Sequence, residues 1–350
     1  KNQTSNNNIL FQIAMLRRRV HSIVIATTAV SSILTRSMST ALSLDKVIPI
    51  PQAIQLHQSK EDSKNVKFVD GSWFLKDRNG REEFQQGPRI AGATFFDIDD
   101  IATKVDSGLK HMMPSKQLFA AAMDAMNISN EDHLVFYGSK DCMFVHRSWF
   151  QMRNMGHPDN QCHFLDGSVE DWKNEGGPIE EAGTAPSNPI ISSADLDLTK
   201  PTNYQAKDAM NILDMEDMKK LIELGEEKAD YDIVDARSAD RFFGRVEEPR
   251  PGMRLGHMPG AKNIFFYDML NPENPLQFKP KEEMEAVIKA SGIDVTSNKK
   301  VVVSCGSGAT ACAVVAALEL CGKSPEECYV YDGSWSEWGA VPDTPIVKEG

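Results

Sequence analysis

The sequence predicts an α/β protein made of two tandem domains, each a parallel sheet flanked by helices. The chain has 350 residues, which is long enough for about two domains of ordinary size. Short β-branched and aromatic runs alternate with longer helical patterns, an order typical of parallel strands joined by crossover helices. The chain also resembles itself at an offset of about 167 residues, which indicates a duplicated domain.

Four blocks of sequence recur in the same order in the two halves. They pair 69–71 with 234–236, 89–97 with 257–268, 134–139 with 302–307, and 165–172 with 331–338. Between the copies, residues 176–203 are rich in Gly, Pro, Ser and Thr and lack apolar periodicity, as linkers do. We therefore predict a first domain at 45–176, a linker at 177–205 and a second domain at 206–350.

Secondary structure is clearest in the second half. Strands are predicted where β-branched and aromatic residues cluster, at 231–234, 300–304 and 328–331. Between the first two of these strands, Met284, Val287 and Ile288 have helical spacing, and Gly292 is expected to end that helix.

Composition and charge exclude several classes of function. The 38 basic and 50 acidic residues give a net charge of -12, so no cationic excess is available for nucleic acid. No run of 18 apolar residues occurs, and we expect no membrane span. The six cysteines are too few for a disulfide scaffold, and no C-x2-C spacing suggests zinc. We therefore expect reduced thiols and no metal.

Residues 1–44 differ in composition from the rest of the chain. They contain five basic residues and many Ser and Thr, and the first acidic residue is Asp45. This composition is typical of a mitochondrial presequence, and translation from Met15 would make residues 1–14 a leader. A secretory signal, with 17–19 as its basic region, is the alternative. We expect a mature protein beginning between about residues 37 and 48, in the mitochondrial matrix, with the cytoplasm as the alternative location.

Residues 301–312 predict a buried strand, a glycine-rich turn and a helix of small apolar residues. Such a turn directs several backbone N–H groups at one point, and the positive end of the helix adds to their effect. Cys305 lies where the strand ends, so its thiol is pushed toward thiolate and is a candidate nucleophile. A buried structural cysteine before an ordinary turn is the alternative. The first half has Tyr137 at the equivalent position, which predicts one active copy.

The residues around this turn resemble the tandem-domain sulfurtransferases of the rhodanese superfamily, over roughly residues 45–345. The resemblance rests on the loop 305–312, the segment 331–338 and the segment 257–260. Members that prefer thiosulfate carry two cations directly after the catalytic cysteine, whereas this chain has Gly306 and Ser307. That pattern is similar to the 3-mercaptopyruvate sulfurtransferases.

The resemblance implies ping-pong sulfur transfer through a persulfide on Cys305, with release of pyruvate. Ser307 and Thr310 are then expected to polarise the thiol or the leaving group. The implied acceptor is a thiol such as thioredoxin or another small thiol, or cyanide, and no metal or organic cofactor is implied. The loop residues expected to hold the transferred sulfur are Gly306, Gly308 and Ala309.

Substrate binding is assigned by the same resemblance to two arginines nine positions apart, Arg241 and Arg250. A planar guanidinium suits a carboxylate better than a lysine ammonium does. The chain departs from the family pattern at Arg89, where many members have histidine. Arg89 is expected to supply an extra cation facing the cleft, or simply a surface charge.

The same residues bear on three other functions. A thiosulfate:cyanide sulfurtransferase and, with less support, a rhodanese-like interaction module remain as alternatives. A phosphatase of the Cys-x5-Arg type is disfavoured because the sixth residue after Cys305 is Ala311, which leaves a phosphoryl group without a guanidinium clamp.

Overall fold

We analysed a computed structural model of the chain, which describes residues 42–59, 65–75, 77–225, 228 and 230–349. From Leu44 onward the chain forms one structural unit. The predicted presequence and the predicted start at Met15 lie outside the described residues, except for 42–44.

The first half forms a five-stranded parallel sheet in the order β1-β6-β5-β2-β4. The strands of this half are Val47–Ile48 (β1), Val66–Asp70 (β2), Arg89–Ile90 (β3), Thr94–Phe95 (β4), His133–Tyr137 (β5), Cys162–Leu165 (β6) and Ile179–Glu180 (β7). The helices are Ile50–Gln58 (α1), Gly80–Gln86 (α2), Lys116–Ala125 (α3), Val145–Asn154 (α4) and Val169–Asn174 (α5). Strands β3 and β7 form a separate antiparallel pair.

The second half forms another five-stranded parallel sheet, in the order β10-β9-β13-β14-β8. Its strands are Ile212–Leu213 (β8), Tyr231–Asp235 (β9), Ala261–Asn263 (β10), Leu270–Asn271 (β11), Asn274–Phe278 (β12), Lys300–Ser304 (β13) and Cys328–Tyr331 (β14). The helices are Met215–Leu224 (α6), Ala239–Phe242 (α7), Lys281–Ala290 (α8), Ala311–Leu320 (α9) and Ser334–Trp338 (α10). Strands β11 and β12 form a separate antiparallel pair.

The two parallel sheets have the same topology. Reading the second sheet from β8 gives the order of the first sheet from β1, so each strand has a counterpart in the other half. The fold class predicted from the sequence is confirmed, as are the three predicted strands and the predicted helix, which are β9, β13, β14 and α8. All five residues of β5 are buried, as expected for a strand covered on both faces.

Helices α4 and α9 join the two halves. Every residue of α4 is buried, and so is every residue of α9 from Ala311 to Leu318. Residues 311–318 of α9 are all apolar, and a helix that is apolar on all sides needs cover on all sides. One face of α9 packs on its own sheet, and another packs on α4. A single hydrophobic core therefore extends through both halves.

The structure contradicts both expectations for Arg89, a cation facing the cleft and a surface charge. Its side chain is 1% exposed, so it is neither a surface charge nor a cation facing a cleft. Its Nε donates to Glu180 Oε2 at 2.7 Å, and its two terminal nitrogens donate to the carbonyl oxygens of Phe84 and Thr184, each at 2.8 Å. Arg89 therefore ties β3 to β7 and to the turn after it.

The predicted linker carries structure of its own. Strand β7 lies within it, and Tyr204 near its end is buried against Phe119 and His157. The domain boundaries given above stay predictions. In the part of the chain that the structure describes, no helix is long and apolar enough to cross a membrane.

Candidate active site

The predicted nucleophile lies in the loop between β13 and α9. Cys305 is the first loop residue and is 2% exposed. Its amide donates to Ser334 Oγ at 3.1 Å, and its carbonyl oxygen accepts from the Trp335 amide at 3.0 Å. Cys305 is therefore fixed through its backbone to the start of α10.

The loop that follows has unused backbone donors. Within the described residues, the amides of 306–310 donate no hydrogen bond. Five successive N–H groups are thus available to a ligand, and a run of this kind suits an anion. That these N–H groups converge beside Cys305 stays a prediction.

Gly308 shapes the loop. Its φ of +76° lies in the left-handed region, which glycine adopts without strain. A Cβ at this position would lie 2.9 Å from the carbonyl oxygen of Asp332, too close for any other residue without movement. The Gly308 carbonyl accepts from Cys312 Sγ at 3.3 Å, and the neighbouring Ala309 is 1% exposed.

Arg241 and Arg250 converge on the residue next to Cys305. A Cβ built at Gly306 would lie 3.3 Å from Arg241 Nη2 and 3.4 Å from Arg250 Nη1. Both guanidiniums therefore lie over the same glycine, although they come from different parts of the segment after β9. Two cations meet here at the entrance to the loop.

A buried ionic network supports Arg241, and sequence reasoning missed it. Glu248, whose side chain is 4% exposed, accepts from Arg241 Nη2 at 2.5 Å and from Arg237 Nη1 at 2.8 Å. Arg237 also pairs with the buried Asp235 and lies 4.1 Å from the centre of the Trp335 ring. The internal repeat contains a sequence signal for Arg237. It stands opposite Ser72, so the second copy has an arginine where the first copy has a serine.

Ser336 links Arg250 to the loop. Its hydroxyl donates to the Gly306 carbonyl and accepts from Arg250 Nη1 at 3.1 Å. The Ser336 amide donates to the same carbonyl at 2.9 Å. Sequence reasoning did not single out this serine, although it lies in a repeat block.

Ser307 and Thr310 lie in the loop and are half-buried. Neither hydroxyl makes a hydrogen bond to another group of the described chain, so their expected role in polarising the thiol stays a prediction. No group of three or more metal-ligating side chains occurs among the described residues.

Comparison with known proteins decides the family. The family sequence model of the Rhodanese-like domain matches the chain twice, over residues 53–175 and 214–341. The chain belongs to the rhodanese-like family. It is similar to the 3-mercaptopyruvate sulfurtransferase of Mus musculus, with 36% identity over 299 residues, which is 84% of this chain and 92% of the relative.

Two further relatives are sulfurtransferases by name or by crystal structure. The mitochondrial thiosulfate/3-mercaptopyruvate sulfurtransferase 1 of Arabidopsis thaliana is 33% identical over 85% of this chain and 78% of its own length. The crystal structure of SseA from Escherichia coli, described as a 3-mercaptopyruvate sulfotransferase with the rhodanese fold, has a TM-score of 0.65 and 26% identity. It covers 84% of this chain and 100% of that one. This rhodanese-like protein is a sulfurtransferase.

The first rhodanese-like domain has a loop at the equivalent position, but two of its amides are occupied by side chains. The Ser139 amide donates to Ser72 Oγ and the Lys140 amide to Glu170 Oε2, each at 2.9 Å. In the internal repeat, Ser336 stands opposite Glu170. A carboxylate of the first domain thus accepts from its own loop, whereas the corresponding amides of the second domain, 307 and 308, have no partner among the described residues.

The other cysteines of this rhodanese-like protein are buried thiols. Burial raises the pKa of Cys142 to about 11, and burial raises the pKa of Cys312 to about 12 even though Arg147 opposes the shift. Burial also raises the pKa values of Cys162, Cys321 and Cys328. None of these five stands at the start of an open amide loop.

Proposed function

We propose that this sulfurtransferase takes sulfur from 3-mercaptopyruvate and carries it as a persulfide on Cys305. The convergence of Arg241 and Arg250 beside Gly306 supports the choice of donor. Two guanidiniums next to the nucleophile suit a small substrate with a planar carboxylate. The two residues after Cys305 carry no charge, so the loop itself supplies no cation beside the sulfur that is transferred.

In the first half-reaction the Cys305 thiolate attacks the sulfur of 3-mercaptopyruvate. A sulfur–sulfur bond forms and the carbon–sulfur bond breaks, with its electron pair passing to the leaving enolate of pyruvate. Protonation at carbon then gives pyruvate. Arg241 and Arg250 hold the carboxylate and the carbonyl oxygen, where negative charge develops, and the amides of 306–310 surround the outer sulfur.

In the second half-reaction an acceptor thiolate attacks the outer sulfur of the persulfide. The acceptor gains the sulfur, and the Cys305 thiolate is regenerated for the next cycle. A thiol acceptor such as thioredoxin, a small thiol, or cyanide fits this step. Ser307 and Thr310 are proposed to donate hydrogen bonds to the thiol or the leaving group.

Thiosulfate is the second candidate donor. The Arabidopsis relative is named for both donors, and the two guanidiniums beside Gly306 also suit a dianion. Thiosulfate would place its charge close to the transferred sulfur, where this loop has no cation of its own. We therefore propose thiosulfate as the weaker substrate.

The proposed location is the mitochondrial matrix. The composition of residues 1–44 and the mitochondrial name of the Arabidopsis relative support it. Microscopy of the full-length chain carrying a C-terminal fluorescent protein tests this proposal. We expect mitochondrial fluorescence that disappears when residues 1–44 are deleted. Cytosolic fluorescence of the full-length chain, unchanged by that deletion, would exclude the matrix location.

Steady-state kinetics with both donors and one acceptor tests the function. The proposal requires a higher kcat/KM for 3-mercaptopyruvate than for thiosulfate, with one pyruvate released per sulfur transferred. Cys305→Ser should abolish turnover of both donors. Equal or greater efficiency with thiosulfate would reverse the proposed donor preference.

A further inference from the structure

Arg147 reaches the Cys305 loop from the domain that has no catalytic cysteine. It lies on α4, and its side chain is fully buried. Its Nη1 donates to the Gly308 carbonyl at 3.4 Å, and its Nη2 donates to the His111 carbonyl and to Asp332 Oδ1, the latter at 2.6 Å. One guanidinium thus connects both domains at the loop.

Asp332 completes the connection from the second domain. It directly follows β14 and is 5% exposed. While Oδ1 accepts from Arg147, Oδ2 accepts from the Met113 amide of the first domain at 2.8 Å. Both charges are removed from water and compensated by each other, and loss of either one would leave an unpaired buried charge.

The backbone at His111 is fitted to this guanidinium. Its φ of +62° lies in the left-handed region, which residues other than glycine rarely adopt. Such a conformation persists only where the surroundings enforce it. Here the His111 carbonyl accepts from Arg147. The same guanidinium that contacts Gly308 therefore also holds the backbone at His111.

The contact with Gly308 bears directly on the loop amides. Because a peptide unit is planar and trans, its carbonyl and the next N–H point in opposite directions. Holding the Gly308 carbonyl toward Arg147 therefore directs the Ala309 amide away from Arg147. That amide is one of the five unused donors of 306–310.

We infer that Arg147 is a positioning residue for the persulfide loop: from the non-catalytic domain it sets the direction of the Gly308–Ala309 peptide, and with it the amide cradle at Cys305. The inference deepens the proposed function and rests on it. The second domain thus depends on the first for the shape of its active site.

Other charged groups act on the same loop from other elements. Arg241 and Arg250 approach Gly306 from the segment after β9, and the Cys312 thiol lies on α9 beneath Gly308. The charge of Arg147 is balanced by Asp332. Its effect is therefore expected through orientation of the peptide rather than through net charge.

Arg153 offers a matched control for mutation of Arg147. It lies on the same helix, its side chain is 7% exposed, and it pairs across the domain interface with Glu319. It does not touch the loop 305–310. Arg147→Met and Arg153→Met thus each remove one buried interdomain ion pair, and only the first removes a loop contact.

The test measures the rate of Cys305 alkylation by iodoacetamide across pH 5–9, together with kcat and thermal melting. Arg147→Met should move the alkylation profile to higher pH and make alkylation about tenfold slower at pH 7, equivalent to roughly 1.4 kcal/mol less thiolate stabilisation. Kcat should fall by a similar factor. Arg153→Met should keep the wild-type alkylation profile despite a lower melting temperature. Arg147→Lys, which keeps the charge without the planar fork, should be intermediate.

Equal alkylation profiles for Arg147→Met and Arg153→Met would overturn the inference, because the contact would then be structural only. If Arg147→Met does not fold, Asp332→Asn takes its place and should shift the profile in the same direction. A wild-type Asp332→Asn profile would equally overturn it. Alkylation needs no sulfur donor, so it tests the inference independently of the proposed function. Failure of the proposed function would appear separately, as absence of persulfide in the wild type.

Discussion

The carboxylate of Glu248 holds the guanidinium of Arg241 at two points. Oε2 accepts from Nη2 at 2.5 Å, and Oε1 accepts from Nε at 3.2 Å. Arg250 is held less firmly, since its one hydrogen-bond partner among the described residues is the Ser336 hydroxyl. More of its N–H donors therefore remain for a substrate. Loss of Arg250 should weaken binding of a substrate carboxylate more than loss of Arg241 does.

Arg250→Ala is expected to weaken turnover of 3-mercaptopyruvate. Loss of a charge-assisted pair costs about 1.5–3 kcal/mol, or roughly ten- to a hundredfold in kcat/KM. Thiosulfate, which lacks a carboxylate, should lose less. Arg245→Ala is the control, because Arg245 lies in the same segment but is exposed and pairs with Glu349. Equal losses with both donors would mean that Arg250 supports the loop rather than donor choice.

Ser307→Lys is expected to raise thiosulfate activity relative to 3-mercaptopyruvate activity. It places a cation two residues after Cys305, where the thiosulfate-preferring relatives carry one. Position 306 is less suitable, since a side chain there would meet both guanidiniums at 3.3–3.4 Å. The ratio of kcat/KM values for the two donors measures the effect. Ser307→Met is the uncharged control, and a similar ratio in both variants would refute the role of charge.

The fold was predictable because its signals are local or repeated. Strand and helix patterns gave β9, β13, β14 and α8, and the duplication gave the two sheets. Cys305 was predictable because strand, glycine turn and small-residue helix are contiguous in sequence. The pairing of Arg241 with Arg250 came from the family resemblance, and the structure brings them to one glycine.

The groups that support the site were not predictable in the same way. Arg147 meets Gly308 across 161 residues, and nothing near Arg147 in the sequence indicates that contact. Arg89 was misjudged because an arginine was assumed to face water, whereas backbone carbonyls from two segments and Glu180 enclose it. Glu248 was not predicted to belong to the site, because nothing near it in the sequence indicates that Arg237 and Arg241 share its carboxylate.

Asp70→Asn is expected to stabilise the protein at neutral pH. Burial raises the pKa of Asp70 to about 6, against hydrogen bonds from Ser72. Since the folded pKa exceeds the unfolded value of 3.8, stability is lost as pH rises from about 4 to 6. Asparagine removes that loss, on the order of 2–3 kcal/mol. Urea unfolding at pH 4 and pH 7.5 should show the gain only at the higher pH.

Asp235 is the matched control, because it occupies the same position of the internal repeat but pairs with Arg237. Asp235→Asn leaves a buried guanidinium with less compensation and should destabilise the protein by roughly 3 kcal/mol or more. Destabilisation by Asp70→Asn at pH 7.5 would contradict the account of Asp70.

The structure narrows the expected mature amino terminus from about residues 37–48 to about residues 37–46. Lys46 pairs with Glu319 at 2.6 Å, and strand β1 begins at the next residue, so cleavage beyond Lys46 would remove an interdomain ion pair. Amino-terminal sequencing of protein from isolated mitochondria measures the cleavage site. A start within β1, or intact residues 20–36 in the cytosol, would disagree with this expectation.

Mass spectrometry of the protein after treatment with 3-mercaptopyruvate is the most direct test of sulfur transfer through Cys305. Peptide mapping without reductant should show an addition of about 32 Da, one sulfur atom, on Cys305 alone, and loss of the addition after a thiol acceptor is supplied. Cys142 should stay unmodified, since it is buried and two amides of its loop are occupied by Ser72 and Glu170. Equal labelling of Cys142, or a full sulfur addition in Cys305→Ser, would contradict the account.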